Sequence, residues 1–282
     1  MRDSVIITAA VSGVLANRNQ CPAIPYTPAE YAEECRRCHE AGAAVVHLHA
    51  RDDDGSPSFK AERYAEIADA VKEKSPVLIN FSTGAIGIPM EERVAHISGY
   101  KPHIGALNMG SLTYAKYSAS RKAFVFDMVF ANPYRDIIYL LQAMNEAGVK
   151  PELECFDSGH VAGCEALIHM GLLKPPLDFS FILGVTGGMK ATARHLAFQA
   201  ETAPAGSTWK VIGISREQWR LVAAALSLGG DVRVGLEDNF YLPDGSMATS
   251  NGDLVARAAR MARDVGREPA SVEQAKQLLN IK

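Results

Sequence analysis

Two histidines two residues apart, His47-Leu48-His49, end an apolar β-branched run in this chain. Side chains alternate faces along a strand, so His47 and His49 point one way and Leu48 the other. Two imidazoles on one strand end can share a metal ion, and a third ligand must then come from elsewhere. Glu237, in Arg233-Val234-Gly235-Leu236-Glu237-Asp238-Asn239, closes another strand-like run and is the best candidate. Two His and one carboxylate with an open position is the donor set of a catalytic zinc site. The plainer reading is that a single histidine is more often solvated or hydrogen-bonded than ligating, but a His-x-His at a strand end is rarer.

Other chemistry-bearing residues follow the same pattern. Glu237 is expected to share a strand face with Arg233 and Gly235. A guanidinium beside Asp238 would keep that carboxylate ionised and oriented, as suits a general base; the plainer reading is a structural Arg–Asp pair. Glu152 and Glu154 share a face, and Glu154 is placed to serve as ligand, base or substrate contact. Ser82-Thr83-Gly84 follows an apolar strand and offers hydroxyls and amides to a carboxylate or oxyanion, although Ser and Thr also cap helices. The turn holding Gly184, Gly187 and Gly188 fits neither a P-loop nor GxGxxG. With Ser215-Arg216 it gives adjacent loops able to bind phosphate or pantetheine.

The elements that must position these residues alternate. Strand patterns fall at 5–10, 44–49, 77–81, 105–108, 152–156, 178–183, 208–214 and 232–237. Helical patterns fall at 28–41, 61–74, 91–98, 133–147, 159–170, 191–202, 216–228 and 251–265. Such alternation implies a parallel sheet, and eight repeats in this length imply a closed (β/α)8 TIM barrel, with a doubly wound open sheet as the runner-up. Residues 1–282 carry no linker or low-complexity segment, so one domain is expected. In a barrel all the polar strand ends converge on one face. Residues 101–129 read as a longer connection after the fourth strand, a lid or interface element. The tail, 268–282, reads as a polar loop and short helix suited to packing on a neighbouring subunit.

With 282 residues, 48% hydrophobic content and a formal charge of -3, the chain can bury a large core and lacks the basic stripe of a nucleic-acid binder. No apolar run reaches the ~18 residues of a membrane span, and the N-terminus reads as a first strand rather than a signal peptide. The five scattered cysteines (Cys21, Cys35, Cys38, Cys155, Cys164) read as reduced packing thiols of a cytoplasmic protein.

Taken together these segments resemble the β-keto acid cleavage enzymes, the family of 3-keto-5-aminohexanoate cleavage enzyme, over nearly the whole chain. The likeness runs through Ile7-Thr8-Ala9-Ala10, His47-Leu48-His49 with Arg51, Ser82-Thr83-Gly84, Leu107-Asn108 with Gly110, and Pro151-Glu152-Leu153-Glu154. It continues through Leu183-Gly184-Val185 with Gly187-Gly188-Met189, the stretch from Gly229 to Asn239, and Ser250-Asn251. The resemblance implies a zinc-dependent barrel and a homo-oligomer, with a tetramer the expected size. It implies conversion of a β-keto acid plus acetyl-CoA, as co-substrate, into acetoacetate and a new acyl-CoA. Carried over by motif, His47, His49 and Glu237 would bind zinc. Asp238, supported by Arg233, would be the general base. Ser82, Thr83, Asn108 and Glu154 would contact or orient the substrate beside Gly84. The implied chemistry is Lewis-acid activation of the keto acid, proton removal by Asp238, attack of the enolate on the thioester, and retro-Claisen cleavage once the coenzyme A thiolate attacks the original ketone.

The chain departs from the aminohexanoate enzyme's motif in four places. Leu15 replaces an acidic residue after the first strand, Ala106 replaces a Thr, Ala85 a second Gly and Thr186 a Pro. A leucine cannot pair with an ammonium group, and burying one unpaired against it would cost several kcal/mol. The expected substrate is therefore a neutral, more apolar β-keto acid. A zinc-dependent hydrolase on the same barrel is the rival enzyme reading. It needs further histidines on later strands, and of His103, His160, His169 and His195 only His160 follows a strand end. A non-catalytic acid sensor is the third reading, disfavoured by a base candidate beside the metal candidate. The roles of His160 and Arg216 stay open between substrate contact and scaffold.

Overall fold

Eight parallel strands close into a barrel in sequential order in the structure, a computed structural model that describes residues 2–281. They are β1 (Ile7–Ala10), β2 (Val45–Leu48), β3 (Leu78–Ser82), β4 (Ile104–Asn108), β5 (Lys150–Cys155), β6 (Asp178–Leu183), β7 (Thr208–Gly213) and β8 (Asp231–Val234). The ring closes where Val232 of β8 pairs with Ile7 of β1. Helices α1 (Pro28–Ala41), α2 (Ala61–Lys74), α3 (Met90–Tyr100), α4 (Tyr134–Ala147), α5 (Ser158–Ala162), α6 (Cys164–His169), α7 (Ala193–Thr202), α8 (Gln218–Leu228), α9 (Asn251–Asp264) and α10 (Val272–Leu279) complete the chain. This is the (β/α)8 architecture expected from the alternation.

Local sequence explains the boundaries. Thr27 and Glu30 form a capping box that starts α1, and Ser250 with Asp253 does the same for α9, each satisfying amide groups that a helix N-terminus leaves unpaired. Alternate strand residues face out, so Val46, Leu48, Ile79, Phe81, Leu153, Phe179, Phe181 and Val234 join the buried faces of the helices in one continuous core. All five cysteines are buried and free of disulfides.

Several expectations about individual elements are corrected. The predicted helix 159–170 is two short helices that meet at Gly163. The predicted first strand is two pieces, because Ser4–Val5 pairs with Glu268–Pro269 outside the barrel. The tail buries Val272, Ala275 and Leu279 against Ile6, Val45, Leu78 and Ile104 of its own barrel floor, which takes up the apolar face offered to a neighbouring subunit. The long connection begins after Asn108 rather than at 101. It is an antiparallel hairpin, Leu112–Ser118 with Ala123–Phe130.

Inside the barrel, below its mouth, lies a buried ionic network. Lys210 Nζ donates to Asp178 (2.8 Å), Glu152 (3.0 Å) and Ser180 (3.4 Å). Ser180 and Asn80 each donate to Glu152 at 2.8 Å. Burial works against the ammonium, yet Asp178 and Glu152 outweigh it and hold Lys210 above its ordinary range.

Candidate metal and acid–base site at the barrel mouth

His47 lies on β2, in register with Ala10 and Asn80, and His49 follows the strand on the same face. Their rings sit 5.3 Å apart and nearly perpendicular. Glu237 reaches them by a route the sequence pattern did not predict. Strand β8 ends at Val234, so Glu237 shares no strand face with Arg233. Gly235 turns the chain with φ 146°, and a Cβ there would collide with the backbone of Ala10; only glycine fits both conditions. Glu237 N then donates to Ala10 O at 3.1 Å, which pins the carboxylate over β1.

Glu237 Oε2 lies 3.6 Å from His47 Nε2 and Oε1 lies 3.5 Å from His49 Nε2. One ligand atom from each of the three residues falls within 4.8 Å of the others, and no other such cluster occurs among the described residues. Three polar atoms of this trio (His47 Nδ1, His49 Nδ1 and Glu237 Oε2) are buried without a hydrogen-bond partner, a costly state for protein alone. Burial, then the charge of Arg233, pulls His47 down to about 3, so its imidazole is neutral. Burial opposes the Glu237 carboxylate, but Arg233 and both histidines outweigh that and hold it well below the usual range. A neutral His47 imidazole and an ionised Glu237 carboxylate are protonation states that suit a divalent cation, so the residues fit zinc.

Arg233 organises the carboxylates. Its Nε and Nη2 hold Asp238 Oδ2 and Oδ1 at 2.9 and 3.0 Å, Nη2 reaches Glu237 Oε1 at 2.7 Å, and Nη1 reaches Glu154 Oε1 at 3.4 Å. A two-pronged grip fixes the plane of Asp238, which a lysine could not do. Burial pushes Asp238 up to about 6 against the pull of Arg233, and pushes Glu154 up to about 8. At neutral pH the site thus holds one ionised base and one protonated acid.

Ser82, Gly84 and Asn108 come together. Gly84 N donates to Ser82 Oγ at 3.2 Å, and a Cβ on Gly84 would meet Asn108 Nδ2 at 3.6 Å. Thr83 is turned to the scaffold, its hydroxyl donating to Ala106 O at 2.6 Å, and Ala106 is fully buried. Leu15 is 62% exposed on the loop between β1 and α1, a loop that Arg51 anchors by donating to Gly13 O and Ala16 O.

The glycine-rich turn is partly satisfied from within the protein. The amides of Gly184 and Gly188 bond to Met189 O and Val185 O, and a side chain at Gly187 would strike Thr113 O of the hairpin. Gly187 thus admits the hairpin, which adds a contact from Ala115 N to Thr186 O. Arg216 is exposed, 4.3 Å over the Tyr241 ring. His160 belongs to the scaffold: it accepts from Phe156 N at 3.3 Å and packs on Gly110. His103 accepts from Ile79 N, and His195 pairs with Thr192. None of these later histidines joins a ligand cluster, which removes the support a hydrolase reading needs.

One residue beside the site escaped the sequence reading. Tyr114 of the hairpin packs edge-on to Phe156, two residues beyond Glu154, and burial followed by the charges of Glu237, Asp238 and Glu154 pushes its phenol up to about 12. The signal was present in Leu112–Ser118 and Ala123–Phe130, which together carry Tyr114, Tyr117, Phe124, Phe126 and Phe130.

The sequence profile of the family described as beta-keto acid cleavage enzyme matches residues 4–281. A relative from Fusobacterium nucleatum subsp. nucleatum, named 3-keto-5-aminohexanoate cleavage enzyme, is 39% identical over all of both chains. A relative from Cupriavidus necator, named 3-oxoadipate:acetyl-CoA acetyltransferase, is 32% identical over 100% of this chain and 96% of its own. Among solved structures, the binary complex of ObcA with oxaloacetate is similar in fold, with a TM-score of 0.74 and 22% identity, covering 92% of this chain and 68% of that one.

Proposed function

The chain belongs to the beta-keto acid cleavage enzyme family, and from that premise we propose that it condenses a neutral or apolar β-keto acid with acetyl-CoA, giving acetoacetate and a new acyl-CoA. The observation that carries this reading is the convergence of His47, His49 and Glu237 with the Arg233–Asp238 pair at one barrel mouth. Zinc held by His47, His49 and Glu237 would supply Lewis-acid polarisation of the keto oxygen.

Each remaining part belongs to the protein. Asp238, ionised above about pH 6, takes the proton from the carbon between the two carbonyl groups, and Arg233 keeps its oxygens aimed. Glu154, protonated at neutral pH, donates a hydrogen bond to oxygen that gains charge during attack on the thioester. Ser82 and Asn108 hold the substrate carboxylate, with Gly84 leaving room for it. Thr83 orients this corner through Ala106. Leu15, where the aminohexanoate enzyme's motif carries an acid, presents an apolar side chain, which favours a substrate without an ammonium group.

Zinc-loaded protein incubated with acetyl-CoA and a panel of neutral, cationic and anionic β-keto acids tests this directly. Acetoacetate and a matching acyl-CoA are expected by mass spectrometry, most rapidly from neutral members, and neither from Glu237→Gln. Preference for 3-keto-5-aminohexanoate would sink the neutral-substrate assignment. Absence of acyl-CoA from the whole panel would sink the reaction itself.

A further inference from the structure

The hairpin presents one face to the barrel mouth. Residues opposite each other in an antiparallel pair share a face, and the pairs are Leu112 with Phe130, Tyr114 with Met128, and Lys116 with Phe126. Tyr114 lies in parallel stacking with Phe126, rings 5.9 Å apart. This face therefore begins at the acid–base centre, runs along Tyr114, Met128 and Phe126, and reaches Lys116 at its exposed end. The turn beyond it, Lys116-Tyr117-Ser118-Ala119-Ser120-Arg121-Lys122, holds three cations and no acidic side chain. Lys116, Arg121 and Lys122 are exposed, and none takes part in an ion pair among the described residues. From Tyr114 to Ser118 the strand rises roughly 14 Å at about 3.4 Å per residue, comparable to an extended pantetheine arm.

From this arrangement we infer that the hairpin is the coenzyme A rail: its inner apolar face carries the pantetheine arm, and Lys116, Arg121 and Lys122 hold the phosphate groups of the nucleotide. The inference rests on the acetyl-CoA reaction proposed above. The chemistry matches at both ends. A thioester must reach the acid–base centre while a pyrophosphate and a 3′-phosphate stay in water. Exposed cations without acidic partners attract such groups at little desolvation cost. The glycine-rich turn is less suited to this role, because the amides of Gly184 and Gly188 bond within the protein and Gly187 seats the hairpin.

The test compares acetyl-CoA with acetyl-pantetheine, which keeps the thioester and arm but lacks every phosphate of the nucleotide. In the parent protein kcat/KM favours acetyl-CoA. In Lys116→Glu/Arg121→Glu/Lys122→Glu that preference is expected to shrink by roughly tenfold or more, through KM, since reversing three charges changes the local potential by several kT. All three substituted side chains are exposed, so the melting temperature checks that the fold is kept. An unchanged preference in the triple variant, or a loss produced by Arg216→Glu instead, overturns the rail. If the parent uses neither thioester and coenzyme A fails to bind in calorimetry, the reaction assignment falls and takes this inference with it.

Discussion

Two charged regions lie inside this barrel, one above the other, and they are built oppositely. The lower one, around Lys210, is closed: the ammonium has Glu152, Asp178 and Ser180, and Asn80 completes the set. Its one loose end is Asn80 Oδ1. The upper one, around His47, His49 and Glu237, brings three donors within 4.8 Å and leaves three of their polar atoms without partners. Burial alone therefore does not separate scaffold from site. A buried charge that is fully paired fixes a structure, whereas convergent donors left unpaired are arranged for something that binds. His96 shows the limit of the rule, since its Nδ1 is also unpaired while it belongs to no ligand cluster.

The contrast can be broken most severely from below. Lys210→Met strands two buried carboxylates and is expected to cost about 3–5 kcal/mol in urea denaturation; a cost under about 1 kcal/mol would mean the lower network is as loose as the upper. At the mouth the sign reverses, because added metal stabilises. Zinc at about 100 times its Kd should raise the unfolding free energy by about 2.7 kcal/mol. Glu237→Gln should abolish that gain, and equal gains in both proteins would remove Glu237 from the ligand set.

A buried histidine outside both regions sharpens the comparison through pH. Burial holds His96 down to about 4 from an ordinary 6.5, while its ring donates to Ser82 O at 2.8 Å. Below about pH 6.5 the unfolded chain takes up a proton that the folded chain refuses, so stability is lost as pH falls from about 6.5 to about 4 and is flat below. Between about pH 7.5 and pH 5 the His96 share is about 2 kcal/mol. His96→Gln should therefore lose less stability than the parent over that interval, and parallel curves would contradict the assignment. The smallest effect belongs to the hairpin: Tyr114→Phe removes a protonated hydroxyl beside the carboxylates and should lower kcat/KM about fivefold, about 1 kcal/mol. No change would leave Tyr114 as packing for Phe126 and Phe156.

Much of the barrel and part of the site were legible in the chain. His47 and His49 share a face because strand period alone sets i and i+2, and the eight alternations followed from apolar spacing and glycine or proline at the joins. The Arg233–Asp238 pair was readable from proximity along the chain. Glu237 does lie beside the two histidines, but its strand was drawn too long, since no local signal showed that Gly235 must fold back against Ala10. The glycine-rich turn is ambiguous for a related reason. A glycine that admits a ligand and one that admits a hairpin backbone look alike until the neighbour is known.

What the sequence determined by itself is therefore local: the period of each element, the capped helix starts, and the pairing of two imidazoles on one strand end. These depend on backbone geometry over a few residues. Tertiary structure alone decided which carboxylate meets those imidazoles, that Lys210 joins Glu152 across 58 residues of chain, and that Tyr114 reaches the mouth. Those contacts arise from closure of the barrel, where strand register and the path of each connecting loop bring distant residues together, and no local spacing carries that information.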